Sequence, residues 1–142
     1  MVKKYFDLTI EKHIEEKGID QVDWDEIVFF KLSEEFIEKY ADNFNWSMIL
    51  KYQRVSEEFV DRNKDRIKRT GWRYFSMKEF LTEDFIRRNF SNLDKHAISI
   101  CQKLSEKFII DHYEFLDFEY LQQNEHVQIT DRIKTLFSLK EI

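Results

Sequence analysis

Proline is absent from these 142 residues, glycine occurs twice and cysteine once. With glycine only at Gly18 and Gly71, little in the chain forbids helix, while a strand-rich fold would lack its usual turn residues. The single Cys101 excludes an internal disulfide and a cysteine-built metal site. It also suits a reducing compartment, so the cytoplasm is the expected location. Long apolar runs are missing as well. Stretches such as Ile27-Val28-Phe29-Phe30 are too short to span a membrane, and Met1 to Tyr5 leads into charged, helix-like sequence without a signal-peptide pattern. With 36% charged and 16% aromatic residues, the composition fits neither a disordered tail nor a membrane protein.

Repetition is abundant. The phrase Leu32-Ser33-Glu34-Glu35-Phe36-Ile37 returns as Val55-Ser56-Glu57-Glu58-Phe59-Val60, Leu81-Thr82-Glu83-Asp84-Phe85-Ile86 and Leu104-Ser105-Glu106-Lys107-Phe108-Ile109, with hydroxyls 23, 26 and 23 residues apart. A period of this size marks a repeat architecture, and the apolar spacing is helical. The expected fold is all-α: a short helical-repeat array, α-solenoid-like or a compact bundle, of about ten short helices in one domain spanning 1–142. Residues 1–21 are expected to form a capping helix, with Asp7 or Thr9 as its N-cap and Gly18 as its stop. About five repeats follow from residue 22, the last one degenerate, with Thr130 taking over as cap.

Each full repeat is expected to hold two helices. The first begins at Asp23, Asn45, Gly71, Asp94 and Asp117, where four of the five side chains can accept hydrogen bonds from free first-turn N–H groups. It opens with Trp24, Trp46, Trp72, Lys95 and Phe118, and the indoles are expected to pack between repeats with the N–H left for a carbonyl or water. The second helix is capped by Ser33, Ser56, Thr82 and Ser105, with acidic residues favouring the positive end of the helix and a flanking apolar staple. Phe36, Phe59, Phe85 and Phe108 occupy the position where a capping-box glutamate would sit, so that place belongs to the core.

The composite phrase Asn45-Trp46-x-x-Ile49-x-x-x-Gln53-x-Val55-Ser56-Glu57-x-Phe59-Val60 resembles tandem short-helix repeats of phage, large-virus and some bacterial proteins, over residues 22 to 137. The resemblance implies a small phage-encoded accessory protein that acts in the host cytoplasm by binding and inhibiting a host defence protein. The copies depart from one another at Lys31, Glu79 and Lys95.

Catalysis needs a nucleophile or base beside an orienting partner, and the sequence offers none. His13, His96, His112 and His126 fall at unrelated phases, and there is no His-Glu-x-x-His helix or glycine-rich phosphate loop. Neighbouring Asp111-His112 and Glu125-His126 do not face each other on a helix, so they make poor metal ligands. The hydroxyls of Ser33, Ser56 and Ser105 are needed as caps, and Cys101 reads as a small core residue. The expectation is a non-enzymatic protein-interaction module, with no cofactor or metal, that meets a protein partner or another copy of itself. Its candidate contacts are Phe30, Tyr52 and Lys78, which share with Cys101 and Asn124 one phase of the repeat, together with Glu11, Glu15, Asp25 and Glu26 of the acidic front. The alternative is nucleic-acid binding through Arg62, Lys64, Arg66, Lys68, Arg69 and Arg73, interleaved with Trp72 and Tyr74.

Overall fold

The computed structural model describes residues 5–78 and 80–140. Among these the chain is all-helical, with eleven α-helices and no strand. It divides into two compact units, Met1–Gly71 and Trp72–Ile142. The N-terminal unit holds α1 (Asp7–Lys17), α2 (Trp24–Ile27), α3 (Glu34–Lys39), α4 (Trp46–Tyr52) and α5 (Glu57–Arg62). Helix α6 (Arg69–Lys78) runs through the boundary. The C-terminal unit continues with α7 (Glu83–Arg88), α8 (Lys95–Cys101), α9 (Glu106–Asp111), α10 (Phe118–Gln122) and α11 (Asp131–Lys140).

The repeated phrase starts helices as its chemistry requires. The hydroxyls of Ser33, Ser56, Thr82 and Ser105 accept from the backbone N–H of Phe36, Phe59, Phe85 and Phe108 at 3.0–3.2 Å, and Thr130 accepts from Ile133 at 3.3 Å. Those four phenylalanines and the residues after them, Ile37, Val60, Ile86 and Ile109, are all buried. Asp23, Asn45, Asp94 and Asp117 cap the first helices. Trp46 is buried, stacks on Phe59 and donates from its indole to the Ala41 carbonyl at 2.9 Å. Trp72 is buried too, whereas Trp24 is half-buried against Tyr40 and Phe44.

Two caps differ from expectation. Helix α6 begins at Arg69, so Gly71 lies inside it rather than capping it. The reason is packing: a Cβ on Gly71 would stand 3.1 Å from Ile67 Cγ2 and 3.6 Å from the Ser47 Cα, so the helix approaches α4 through a missing side chain. At α1 neither Asp7 nor Thr9 is the cap. Phe6 holds that position without a side-chain bond, and Asp7 instead accepts from the Ser33 N–H at 3.0 Å. Gly18 does end α1, with φ of +92° and its N–H on the Ile14 carbonyl.

That Asp7 bond belongs to a recurring device. The N–H of each phrase serine needs an acceptor that the local sequence, with phenylalanine at the capping-box position, does not supply. The preceding helix of the same row supplies it. Glu34 accepts from Ser56 N–H at 2.6 Å and from its hydroxyl at 3.0 Å, and Glu83 accepts from Ser105 N–H at 2.7 Å. A capping box has thus been stretched across neighbouring repeats, 22 residues apart in both cases. Buried carboxamides add a second stitch. Gln53 donates to the carbonyls of Val28 and Phe30 and accepts from Leu32 N–H, while Gln102 donates to the Ser76 carbonyl and accepts from Leu81 N–H. In the C-terminal unit Ser76 and Ser99 hydroxyls also accept from the N–H of Asp94 and Asp117.

Candidate protein-partner interface

The carboxamide stitch fails at one place in the N-terminal unit, and that place is exposed. Gln53 stands two residues before Val55 and Gln102 two before Leu104; the matching position before Leu32 is Phe30. With only the cap helix α1 ahead of it, this repeat has no earlier repeat turn to bind. The Phe30 ring turns outward, 44% exposed, and meets Phe6 with centroids 5.1 Å apart. Its neighbour Phe29, 57% exposed, meets Tyr52 at 4.7 Å. Two exposed aromatic pairs therefore share this turn, where lone exposed apolar residues would call for no explanation.

The backbone of this turn is fixed. Gln53, itself buried, donates to the Val28 and Phe30 carbonyls at 2.6 and 2.7 Å, and Phe6 N–H donates to the Lys31 carbonyl at 3.0 Å. Two ammonium groups lie over tyrosine rings, Lys31 over Tyr5 at 5.4 Å and Lys51 over Tyr52 at 5.1 Å. Exposed Asp25 and Glu26 precede Phe29 and Phe30 by four residues. Phe30, Tyr52, Asp25 and Glu26 were legible as candidates in the sequence. Phe6 and Phe29 were not, although the run Ile27-Val28-Phe29-Phe30 is longer than a four-residue helix can bury, with Ile27 and Val28 inside and the two rings outside.

The remaining candidates scatter. Glu11 is half-buried and engaged with Lys39 at 3.2 Å, beside a cleft of about 490 Å³ between α1 and α3; Glu15 is exposed on α1. Lys78 and Cys101 are half-buried, and burial pushes the Cys101 thiol up. Asn124 is buried, so the row does not form one exposed face. Its carboxamide donates to the Ser99 and Gln102 carbonyls, taking the stitching role one position early because α10 is short. The departure at Glu79 lies outside the described residues.

Half of the basic segment is occupied. Arg62 binds Glu38 at 2.6 Å, Arg66 binds Asp42 at 2.6 Å and lies over the Trp46 ring, and Lys64 pairs with Asp61 at 3.2 Å. The Arg62 hydrogen bond holds the Glu38 carboxyl below its usual range, with partial burial opposing and Asn63 adding to the effect. Lys68, Arg69 and Arg73 are exposed and make no ion pair among the described residues. Among those residues there is also no group of three or more His, Cys, Asp or Glu side chains placed to hold a metal, and no helix long and apolar enough to cross a membrane. Compared with protein-family models, with curated proteins and with solved structures, the chain gives no match.

Proposed function

We propose that this chain is a non-enzymatic interaction module whose contact surface is the aromatic cluster of Phe6, Phe29, Phe30 and Tyr52. One observation carries the proposal: four exposed rings form two contacting pairs, and one member of each, Phe30 and Phe29, stands on a turn pinned by the buried Gln53 carboxamide. Rigid aromatic side chains bury much area for little conformational entropy, which is why they anchor protein interfaces. The finer proposal, a phage-encoded inhibitor of a host defence protein, rests on the repeat resemblance. Affinity capture from the natural host with wild type and with Phe30→Asp tests the contact surface, with circular dichroism confirming that both are helical. Loss of the captured protein in the variant is expected. Equal capture by both proteins refutes the aromatic surface.

Nucleic-acid binding is the second proposal, favoured only by Lys68, Arg69 and Arg73, which are exposed and make no ion pair among the described residues. It requires affinity for DNA or RNA that falls steeply with salt. Absence of binding to either at low salt removes it.

A further inference from the structure

We propose that an exposed strip of α11 takes a helix from a protein partner, added beside α11 as the chain adds its own second helices. This contact lies in the C-terminal unit and does not depend on the aromatic pairs. Within each unit, residues four apart on one helix hold the second helix of the next repeat. Asp7 and Glu11 of α1 bind the Ser33 N–H and Lys39, and Glu34, Glu38 and Asp42 bind the Ser56 N–H, Arg62 and Arg66. In the C-terminal unit Glu83 accepts from the Ser105 N–H, Arg87 donates to the His112 ring, and Glu106 binds Arg132. Counted from its cap Thr130, the same phase of α11 falls on Asp131, Thr135 and Leu139, and all three are exposed. The Asp131 carboxylate stands where Glu34 and Glu83 accept an N–H, yet it has no partner among the described residues. Together with Arg132, Leu136 and Ile110 of α9, the strip lines a groove of about 390 Å³. Ile110 holds in α9 the place of Glu38 in α3, so the ion pair of the earlier helices gives way here to apolar surface. Continuity with the repeat interface specifies the occupant. It is a helix whose cap residue keeps its N–H for Asp131, and whose sixth residue after the cap is apolar where Arg62 follows Ser56. In a second copy such helix starts are already spent: the N–H groups of Ser33, Ser56 and Ser105 are held by Asp7, Glu34 and Glu83, and that of Phe6 by the Lys31 carbonyl.

The probe is an acetylated and amidated peptide of residues 129–140, the helix that α9 itself accepts, with Thr130 as cap and Leu136 six residues on. Titrated into the isotope-labelled full chain, it is expected to shift the amide resonances of Asp131, Thr135 and Leu139, with a dissociation constant on the order of 100 µM. Asp131→Lys in the protein removes the acceptor and repels the positive end of the added helix, and is expected to weaken binding about ten-fold. Leu139→Asp in the protein and Thr130→Pro in the peptide, which deletes the cap N–H, are each expected to do the same. Asp131 and Leu139 are exposed, so both protein variants are expected to keep the wild-type circular dichroism spectrum. Phe30→Asp is expected to bind the peptide as wild type does, which separates this contact from the aromatic one. Unshifted α11 resonances at millimolar peptide, or binding indifferent to both Asp131→Lys and Leu139→Asp, overturn the proposal. Loss of binding in Phe30→Asp also overturns it, because the peptide then sits on the aromatic pairs. Self-association of wild type in sedimentation equilibrium that Leu139→Asp abolishes makes a second copy the occupant and refutes the partner helix.

Discussion

Removing the Gln53 carboxamide should loosen the N-terminal unit more than removal of any exposed ion pair. The side chain is 5% exposed and holds three backbone groups of the turn at 28–32: the Val28 carbonyl at 2.6 Å, the Phe30 carbonyl at 2.7 Å and the Leu32 N–H at 3.2 Å. In Gln53→Ala the buried Leu32 N–H and the carbonyl of fully buried Val28 lose these partners, at about 1–3 kcal/mol for each buried group left unsatisfied. Water can reach the Phe30 carbonyl more easily, so the total should be on the order of 3 kcal/mol, a large share of ordinary domain stability. Gln53→Glu is the sharper probe. It keeps an acceptor for Leu32 but sets a carboxylate against two carbonyl oxygens, so at neutral pH it should be worse than alanine, and it should recover as acid protonates the carboxyl and restores a donor. Urea denaturation gives the magnitudes, and hydrogen exchange at the Leu32 amide localises the loss. An alanine variant within about 0.5 kcal/mol of wild type, the usual range for surface changes, refutes the stitch. A glutamate variant more stable than alanine at neutral pH refutes the assigned donor and acceptor ends.

Glu34→Gln, which keeps an acceptor for Ser56 but loses its charge, should cost about 1 kcal/mol, the gap between charged and neutral hydrogen bonds. Its effect should be non-additive with Ser56→Ala in a double-mutant cycle followed by urea denaturation. Because the Glu38 carboxyl is held below its ordinary value chiefly by Arg62, its stabilising contribution is complete above the unfolded-state value of about 4.3 and is lost as pH falls through the lower folded value. Arg62→Ala should therefore flatten this part of the acid limb in a pH series of melting temperatures, and an unchanged acid limb would contradict the pairing. Gly71→Ala should destabilise by crowding Ile67, in contrast to the usual gain from glycine to alanine inside a helix; a more stable variant would show that the Ile67 side chain gives way freely. The raised Cys101 thiol should react with a disulfide reagent at pH 8 markedly more slowly in the folded protein than in urea, and equal rates would refute its burial.

Helix starts were legible in the sequence because capping is local: Ser33 reaches Phe36 N–H and Asp94 reaches Ala97 N–H within a single turn. The stitches were not, because they join residues more than twenty positions apart. Gln53 was visible as part of the composite phrase, yet nothing local shows that its carboxamide faces an earlier turn rather than solvent. The same holds for Glu34 and Glu83. As first-turn acids they look like partners of the helix dipole, and their second role appears only when the next serine is brought alongside. Gly71 was misplaced for a related reason. Its suitability as a cap is a local property, whereas its use is set by Ser47 and Ile67 on the elements it packs against. The short 3-10 turns at Ile19–Gln21, Ala41–Asn43 and Lys64–Arg66 also escaped notice: Gly18 ahead of the first reads only as the stop of α1, and no glycine or proline marks the other two.

These long-range stitches change which residues are available for recognition. The acidic front is the most conspicuous charge feature of the sequence, but Asp7, Glu11, Glu34, Glu38 and Asp42 are each engaged with a serine N–H, a lysine or an arginine of a neighbouring element. What remains for a partner is a smaller set that includes Glu15, Asp25 and Glu26, and the last two lead directly into the aromatic surface. The basic segment is depleted in the same way by Glu38, Asp42 and Asp61. Exposed surface ion pairs contribute little stability individually, so their value here is in fixing neighbouring repeats and cancelling the local field. Under the proposed interaction function, a frame that consumes its own charges leaves recognition to positions where stitching is unnecessary. In the N-terminal unit the slot without a stitch is the first, where Phe30 replaces the glutamine and its ring faces outward.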